Sequence, residues 1–301
     1  MTTGVFRYII PASLNSVGSQ AWTKVDTDVS SYQRTERRRS VTDLRTSDLD
    51  FGTDISGFAV YHAPAEEKTF TDDAAVRTGY YSEVDALVRS KLPGVKKVVI
   101  FDHTIRRREQ SSPRQPVQQV HVDQTPRAAE MRVRRHLPAD EAEELLKGRY
   151  QIINVWRPIG HPATDFPLAV IDWRSTVPKD LVKVDLLYPK RADAADDDDR
   201  GKEVLPDPDT AQSTEGYEAK GELWAIAPND QHKFYYAKDM TPEEAMFIKC
   251  FDSRSEGQPK GKEGIAALTP HTAFIDPATP ADAKGRQSIE VRCLVFYEQT
   301  M

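Results

Sequence analysis

The chain carries a His-x-Asp tripeptide, His121-Val122-Asp123, and a second histidine, His271, far downstream. The tripeptide lies near the end of a run from Pro116 to Thr125 in which apolar and polar residues alternate. Because the side chains of a strand alternate between its two faces, His121 and Asp123 point to the same side and can share one metal ion. Two imidazoles and one carboxylate leave three adjacent positions of an octahedral ion open, the arrangement of non-haem Fe(II) oxygenases. The spacing therefore indicates an oxygenase, provided that His271 meets the other two residues in space.

A candidate anchor for an oxo-acid follows the second histidine. The tripeptide Arg286-Gln287-Ser288 comes after His271, and a guanidinium there can hold a carboxylate through two parallel hydrogen bonds. A His-x-Asp tripeptide alone often occurs by chance near exposed turns. The ordered set with a later histidine and a trailing Arg-x-Ser is more specific. On spacing alone, a metal site and a chance match both stay open.

Composition limits the classes of function. The 301 residues can bury a sizeable core, either as one large β-rich domain or as two smaller ones. The net charge is −6 and the positive residues are scattered, so we expect no nucleic-acid partner. The densest basic stretch, from Arg34 to Arg39, lies in a polar segment and is interpreted as a solvated loop or a phosphate-facing surface rather than a binding site.

Cysteine usage and hydropathy bear on the compartment. Cys250 and Cys293 stand in apolar surroundings, so we expect buried free thiols rather than a disulfide. No window reaches the length of a membrane span, and the first residues lack the charged and apolar regions of a leader. We therefore expect a cytoplasmic protein without a membrane partner. The sequence does not indicate the oligomeric state.

Hydrophobic periodicity predicts many short strands and a few helices. Helices are expected at residues 81–92, after Pro126, from Pro138 to Gly148 and from Pro242 to Cys250. Strands are expected at residues 5–10, 57–62, 95–101, 117–123, 150–156, 168–173, 182–188, 222–227, 232–236, 271–275 and 289–297. This pattern predicts a mainly β fold with flanking helices and a double-stranded β-helix (jelly-roll) core.

We expect one oxygenase domain over residues 1–301. Residues 1–95 are predicted to be an N-terminal extension that packs on the core, and residues 96–301 to be the core itself. Within the core, the segment from Arg191 to Ala219 is acidic and almost without apolar residues, so it is predicted to be a flexible surface loop.

Several longer motifs carry a family resemblance. They are HVDQT, YQIINVWRPI, DWR, DLLYP, HKFYY, DMTPEEAMFIKCFDS, TPHTAF, RQSIEVR and LVFYE, which follow one another from residue 121 to residue 298. In order and wording they resemble the fungal hydroxylase/desaturase family of natural-product pathways, which contains the gibberellin desaturase. Bacterial cephem methoxylase-associated proteins are distant kin of that family. The resemblance covers about two thirds of the chain, from residue 100 onward.

The resemblance implies an Fe(II)- and 2-oxoglutarate-dependent oxygenase that uses O2. His121, Asp123 and His271 then fall on the metal-ligand positions. Arg286 and Ser288 fall on the positions that hold the distal carboxylate of 2-oxoglutarate, with Arg292 as the competing arginine. We favour Arg286 because the hydroxyl of Ser288 stands two residues on, on the same face of the strand. The substrate is expected to be a small natural product, and hydroxylation, desaturation and oxidative cyclisation all begin with the same hydrogen abstraction.

The strand from Tyr150 offers candidate substrate contacts near its end. Asn154, Trp156 and Arg157 are predicted to line the pocket, with Arg157 as a carboxylate partner and Trp156 as an apolar wall or an ordinary core residue. His232 is interpreted as a wall residue or as a hydrogen-bonding neighbour of the ligands rather than a ligand. Two alternatives stay open: a jelly roll that binds a ligand without chemistry, and an iron oxygenase that does not use 2-oxoglutarate.

Overall fold

The computed structural model describes residues 1–14, 20–25, 27, 29–108, 116–190 and 212–298. These residues form two β-sheets with a few helices. The strands are β1 (Thr2–Ile9), β2 (Ala21–Lys24), β3 (Arg34–Asp43), β4 (Phe58–His62), β5 (Val95–Arg107), β6 (His121–Val122), β7 (Tyr150–Pro158), β8 (Leu168–Ile171), β9 (Leu181–Pro189), β10 (Tyr217–Ile226), β11 (Phe234–Tyr236), β12 (Glu244–Asp252), β13 (His271–Ala273) and β14 (Gln287–Tyr297). The helices are α1 (Asp73–Ala75), which continues through a π-helical turn (Val76–Tyr80) into α2 (Tyr81–Lys91), and then α3 (Pro126–His136) and α4 (Ala139–Leu145).

The nine-stranded sheet has the order β1-β3-β11-β8-β13-β6-β10-β9-β2, and the five-stranded sheet has the order β4-β12-β7-β14-β5. Among the described pairs, β3–β11 and β2–β9 are parallel and the others antiparallel. The first 95 residues supply β1, β2 and β3 to the larger sheet and β4 to the smaller one, so this segment is part of both sheets. The predicted mainly β fold with flanking helices is confirmed.

The two sheets share the main hydrophobic core, to which Val122, Trp156 and Leu294 belong. A second core lies between the outer face of the five-stranded sheet and α2, with Val88 and Phe247 among its members. Strands β7, β12 and β14 contribute to both cores and are therefore buried on both faces. Such strands show long apolar runs instead of a clean alternation.

This burial on two faces explains one wrong prediction. The segment from Pro242 to Cys250, predicted to be a helix, contains most of strand β12, which pairs with β4 and β7. Every residue of β12 after Glu244 is buried. A short apolar run of this kind cannot be distinguished from a buried helix by periodicity alone.

Two further expectations need correction. The basic stretch from Arg34 to Arg39 is not a loop but the first part of β3, which pairs with β1 so that Arg37 lies opposite Phe6. Of the predicted acidic loop, residues 191–211 lie outside the described part of the chain. The last residues of that predicted loop are strand, because β10 begins at Tyr217.

Other expectations agree with the structure. Cys250 and Cys293 are buried free thiols, as predicted. The strands predicted to begin at Val5, Gly57 and Val95 correspond to β1, β4 and β5. The helix predicted at residues 81–92 corresponds to α2. Among the described residues, no helix combines the length and the apolar character that crossing a membrane requires.

Candidate metal centre

His121 and His271 lie directly opposite each other on adjacent strands. The pairing of β6 with β13 makes the two histidines register partners. Their ring centroids are 4.5 Å apart. On its other side β6 pairs with β10, which places His121 in the interior of the nine-stranded sheet. Strand pairing therefore brings together two residues that are far apart in the sequence.

Asp123 completes the group just past the end of β6. Its Oδ1 lies 3.2 Å from Nε2 of His121 and 3.9 Å from Nε2 of His271. One candidate ligand atom from each of the three residues lies within 4.8 Å of the others. Atoms bound to one metal at about 2 Å are about 3 to 4 Å apart, so small shifts suffice for all three to bind one ion.

Both imidazoles are held with the same ring nitrogen facing Asp123. Nδ1 of His121 donates to the carbonyl oxygen of Gln119 at 2.8 Å, and Nδ1 of His271 donates to the carbonyl oxygen of Thr269 at 3.0 Å. Because a carbonyl oxygen only accepts, each Nδ1 carries the hydrogen of the neutral ring and each Nε2 keeps its lone pair. Histidines that bind metals are usually fixed in this way by a bond from their second nitrogen.

The two carboxylate oxygens of Asp123 have different partners. Oδ2 accepts a hydrogen bond from Nδ2 of Asn154 at 2.7 Å and one from Nε of Arg292 at 3.3 Å. Oδ1 faces the histidines. Asn154 and Arg292 are opposite each other on β7 and β14, so the five-stranded sheet holds one oxygen and leaves the other for a metal.

Arg292 is itself fixed by acidic and hydroxyl groups. Its guanidinium donates to Oδ1 of Asp102 at 3.0 Å, to Oγ1 of Thr104 at 3.0 Å and to Oε1 of Glu290 at 2.7 Å. These bonds and the bond to Asp123 together occupy most of the hydrogen-bond donors of the Arg292 guanidinium. Arg292 therefore supports a candidate metal ligand and has few donors left for a co-substrate.

The charges of the centre suit a divalent cation. Burial alone would raise the pKa of Asp123, but the hydrogen bond from His121 and the charges of Arg292 and His271 outweigh it, and the pKa lies well below its usual range. Burial and the neighbouring His121 lower the pKa of His271. Burial also acts to lower the pKa of His121, yet the bond to Asp123 raises it overall. An ionised carboxylate beside neutral imidazoles is the state that a metal requires, so metal binding competes with protonation of His121.

Arg286 is a buried cation that makes no ion pair with a carboxylate in the described part of the chain, although the nearby charges of Asp165 and Glu290 act to raise its pKa. It is 3 % exposed. Its Nη1 donates to the carbonyl oxygen of Phe166 at 2.8 Å, whereas its Nε has no hydrogen-bond partner among the described residues. Burial and the charge of Arg106 lower its pKa to about 9. A buried guanidinium in this state is costly unless a carboxylate binds to it.

Two predicted residues stand beside Arg286. The guanidinium lies 5.6 Å from the ring centroid of Trp156, which also belongs to the main core. Ser288 is 2 % exposed and lies on the same strand face as Arg292, because Ile289 and Val291 face the second core. Trp156 and Asn154 are successive residues on the inner face of β7, about 7 Å apart. Trp156 thus contacts Arg286 with its ring and lies two residues along the strand from Asn154, the hydrogen-bond partner of Asp123.

The structure does not bring every predicted residue to this centre. Arg157 lies on the outer face of β7, where its Nε donates to the hydroxyl of Tyr80 at 3.0 Å and its Nη1 to the carbonyl oxygen of Pro242 at 2.7 Å. It is thus separated from Asn154 by the sheet, since odd and even residues of a strand face opposite sides. His232 bonds to Asp180 at 3.0 Å and lies near Tyr8, away from the metal ligands.

Sequence reasoning missed the acidic neighbours of Arg292. Asp102 lies opposite Arg292 on β5, and Thr104 lies opposite Glu290. The signal available was that Asp102 and Thr104, two residues apart, directly follow the apolar run 98–101 of β5. Such residues must be hydrogen-bonded when the strand packs in a core.

The donor set fits Fe(II) with an oxo-acid. It offers two ring nitrogens with free lone pairs, one carboxylate oxygen and, nearby, a buried guanidinium that needs an anion. Two histidines and one carboxylate on a β-rich scaffold are typical of iron oxygenases that keep open positions for co-substrates.

Comparisons with known proteins agree with this chemistry. Residues 7–296 match a family model described as an oxidoreductase/YMDC permease-like domain. The chain is similar to the hydroxylase/desaturase efuI of Hormonema carpetanum, with 31% identity over 86% of this chain and 83% of the relative. It is likewise 31% identical to the Fe(II)/2-oxoglutarate-dependent dioxygenase nvfI of Aspergillus novofumigatus, over 86% of this chain and 80% of that protein.

A solved structure extends the likeness to the whole fold. A variant of the iron and alpha-ketoglutarate-dependent endoperoxidase NvfI superposes with a TM-score of 0.74 at 26% identity and covers 99% of both chains. The jelly-roll prediction is confirmed by this neighbour, since Fe(II)/2-oxoglutarate oxygenases have that core. The chain belongs to the fungal hydroxylase/desaturase family of Fe(II)/2-oxoglutarate-dependent dioxygenases.

Proposed function

We propose that His121, Asp123 and His271 bind the catalytic Fe(II), and that Arg286 with Ser288 binds the distal carboxylate of 2-oxoglutarate. The observation that supports this assignment most is the buried guanidinium of Arg286, which has no acidic partner among the described residues. A dicarboxylic acid such as 2-oxoglutarate would supply that partner with one carboxylate and would bind the metal through its oxo-acid end. The enzyme then oxidises a small natural product, by hydroxylation, desaturation or oxidative cyclisation.

The protein's own part in the reaction is to hold and orient. When Fe(II) is bound, it supplies O2 activation driven by the oxidation of 2-oxoglutarate to succinate and CO2. Asn154 and Arg292 keep Oδ2 of Asp123 away from the metal position, and the two backbone carbonyls keep the imidazoles turned toward it. The guanidinium of Arg286 lies 5.6 Å from the ring centroid of Trp156 and the residue is 3 % exposed, so an ion pair with the co-substrate would form in a site shielded from water.

The test is anaerobic titration of the Fe(II)-loaded chain with 2-oxoglutarate, followed through the weak visible charge-transfer band. We expect the wild type to develop the band and Arg286→Gln to require at least about tenfold more 2-oxoglutarate, since a charge-assisted ion pair is lost. Arg157→Gln is the matched control, because it removes an equally buried arginine of the outer face. Unchanged 2-oxoglutarate affinity in Arg286→Gln would refute the anchor.

A separate assay distinguishes the other functions of such a fold. Under air, an oxygenase of this class releases succinate when a substrate is present, and an iron oxygenase that does not use 2-oxoglutarate releases none. A chain that binds iron and 2-oxoglutarate but produces neither succinate nor oxidised product with any tested natural product would favour the role of a ligand-binding protein.

A further inference from the structure

Three arginines lie close together where β5 ends and β14 begins. The backbone N–H of Arg108 donates to the carbonyl oxygen of Arg286 at 2.8 Å, and Arg106 is the register partner of Ser288. Long side chains reach both the residue directly opposite and the diagonal neighbour two positions away on the paired strand. Arg106, Arg108 and Arg286 therefore form one arginine cluster around Ser288.

Arg106 faces the space between the two sheets. Its neighbour Ile105 packs against the second core, and Arg107 donates from Nη2 to the carbonyl oxygen of Phe70, a member of that core, at 3.3 Å. Because the side chains of a strand alternate between its faces, Arg106 lies on the inner face, as its register partner Ser288 does. Arg106 is thus directed to the same side of the five-stranded sheet as the candidate metal centre.

The acid beside the arginine cluster is already committed. Both carboxylate oxygens of Asp165 lie 3.0 Å from Nη1 of Arg108. Oδ2 of Asp165 also accepts from the backbone N–H of Arg286 at 3.0 Å. The guanidinium of Arg286 bonds instead to a backbone carbonyl oxygen. Asp165 therefore neutralises Arg108 and leaves the side chain of Arg286 to bind another anion.

Like charges act on each other within the cluster. The charge of Arg106 contributes to the lowered pKa of Arg286, against the opposing charges of Asp165 and Glu290. Glu290 itself accepts from Nη2 of Arg292 at 2.7 Å. Because two guanidinium groups repel each other in a buried place, an anion bound between Arg106 and Arg286 would lower the free energy of both.

The segment that holds Arg286 has a strained backbone. Phe166 has a φ of +42°, which residues other than glycine rarely adopt. Its carbonyl oxygen accepts from Nη1 of Arg286 at 2.8 Å, and its ring centroid lies 4.3 Å from Cζ of Arg108. Strain of this kind costs free energy and is concentrated at active sites and ligand-binding sites. Phe166 thus fixes the guanidinium of Arg286, whose Nε has no hydrogen-bond partner among the described residues.

We propose that Arg106 is a specificity-determining residue of the co-substrate site. One oxygen of the distal carboxylate of 2-oxoglutarate binds to Arg286 and Ser288, and the other oxygen binds to Arg106. The site therefore selects oxo-acids that carry a second carboxylate over those that carry only one. This inference rests on the proposed function, because it places 2-oxoglutarate at Arg286.

The test compares 2-oxoglutarate with 2-oxopentanoate, which has the same five-carbon chain and oxo-acid group but lacks the distal carboxylate. Their dissociation constants are measured on the anaerobic Fe(II)-loaded full chain through the visible charge-transfer band. We expect the wild type to prefer 2-oxoglutarate by about 100-fold or more. Arg106→Gln should lose about tenfold of that preference while its affinity for 2-oxopentanoate stays unchanged.

Arg107→Gln is the matched control, since Arg107 is the next residue of β5 and bonds on the outer face. An unchanged preference in Arg106→Gln, or an equal loss in Arg107→Gln, would overturn the role of Arg106. Equal losses of affinity for both oxo-acids in Arg106→Gln would show that Arg106 only supports the fold, and would likewise reject the proposal.

A second variant keeps the charge of Arg106. Arg106→Lys retains a cation without the planar fork of a guanidinium, so we expect its preference for 2-oxoglutarate to lie between those of wild type and Arg106→Gln. If Arg106→Gln does not fold, Arg106→Lys decides alone, and a preference equal to that of wild type rejects the proposal.

The outcomes separate this inference from the proposed function. A wild type that binds Fe(II) but develops no band with 2-oxoglutarate would refute the proposed function, and this inference with it. A preference for 2-oxoglutarate that Arg286→Gln removes and Arg106→Gln retains would support the anchor and reject the role of Arg106 alone.

Discussion

Asn154 donates from Nδ2 to Oδ2 of Asp123 over 2.7 Å, and this bond joins the five-stranded sheet to the end of β6 in the nine-stranded sheet. The candidate metal centre is therefore not built by one sheet alone. The histidines come from the larger sheet, whereas the groups that orient the carboxylate come from the smaller one. Packing of the two sheets thus determines which oxygen of Asp123 faces the metal position.

Replacing Asn154 tests this orienting role. We expect Asn154→Ala to weaken the affinity for Co(II), a spectroscopic substitute for Fe(II), by about 10- to 100-fold, because partners of metal ligands have effects of this size. The visible spectrum of bound Co(II) gives the affinity. Gln151→Ala is the control, since it removes a buried amide of the same strand that bonds to Asp252 instead. Equal Co(II) affinity in Asn154→Ala and wild type would show that Arg292 alone is sufficient to orient the Asp123 carboxylate.

Gly57 supports His271 from behind. Its φ is +95°, and a Cβ there would lie 2.5 Å from Oγ1 of Thr269, whose carbonyl oxygen accepts from His271. We expect Gly57→Ala to destabilise the fold by more than 2 kcal/mol and to weaken metal binding, because both the backbone and the segment before His271 must shift.

Gly160→Ala is the comparison for Gly57→Ala. Gly160 also has a positive φ, of +70°, but nothing lies within 4 Å of an added Cβ. It should cost only about 1 to 2 kcal/mol of backbone strain and leave metal affinity unchanged. Urea unfolding and Co(II) titration measure the two effects. If both variants lose the same stability and neither loses affinity, the contact at Thr269 is unimportant.

The pH dependence of stability should depend on a buried charge cluster remote from the reaction. Burial alone would raise the pKa of Asp252, but Lys249, whose Nζ lies 2.8 Å away, and Arg149 outweigh it and lower the pKa to about 2. This folded-state pKa is below the unfolded value of 3.8, so the stabilisation is present above pH 4 and is lost as the pH falls toward 2. The shift corresponds to about 2 kcal/mol.

Urea unfolding of the metal-free chain between pH 2 and pH 6 measures this contribution. We expect the free energy of unfolding to fall with decreasing pH over the lower part of this range, and the fall to be smaller in Asp252→Asn. An Asp252→Asn variant with the same pH profile as wild type would exclude Asp252 as its source.

The sequence predicted the grouping of His121, Asp123 and His271 better than it predicted the surroundings of that group. Alternating polar and apolar residues placed His121 and Asp123 on one face of a strand. A strand at His271 was also predicted, because this alternation persists where only one face of a strand is apolar. The parity of β14 was also correct, with Ile289 and Val291 on the face opposite Arg292.

Other features depended on tertiary packing that no local pattern encodes. Strand β12 was predicted to be a helix because burial on both faces removed its alternation. Arg157 was expected in the pocket, yet its parity with Val155 places it on the outer face against Tyr80. The commitment of Arg292 to Asp102 and Thr104 arises from the pairing of β14 with β5, which are far apart in the sequence.

The central claim is that His121, Asp123 and His271 bind one iron. A crystal structure of the protein grown anaerobically with Fe(II), with the metal located by anomalous scattering at the iron edge, tests it directly. We predict one iron per chain, bonded to Nε2 of both histidines and to Oδ1 of Asp123, while Oδ2 keeps its bonds to Asn154 and Arg292. Iron located elsewhere, or an iron to which His271 is not bonded, would contradict the account.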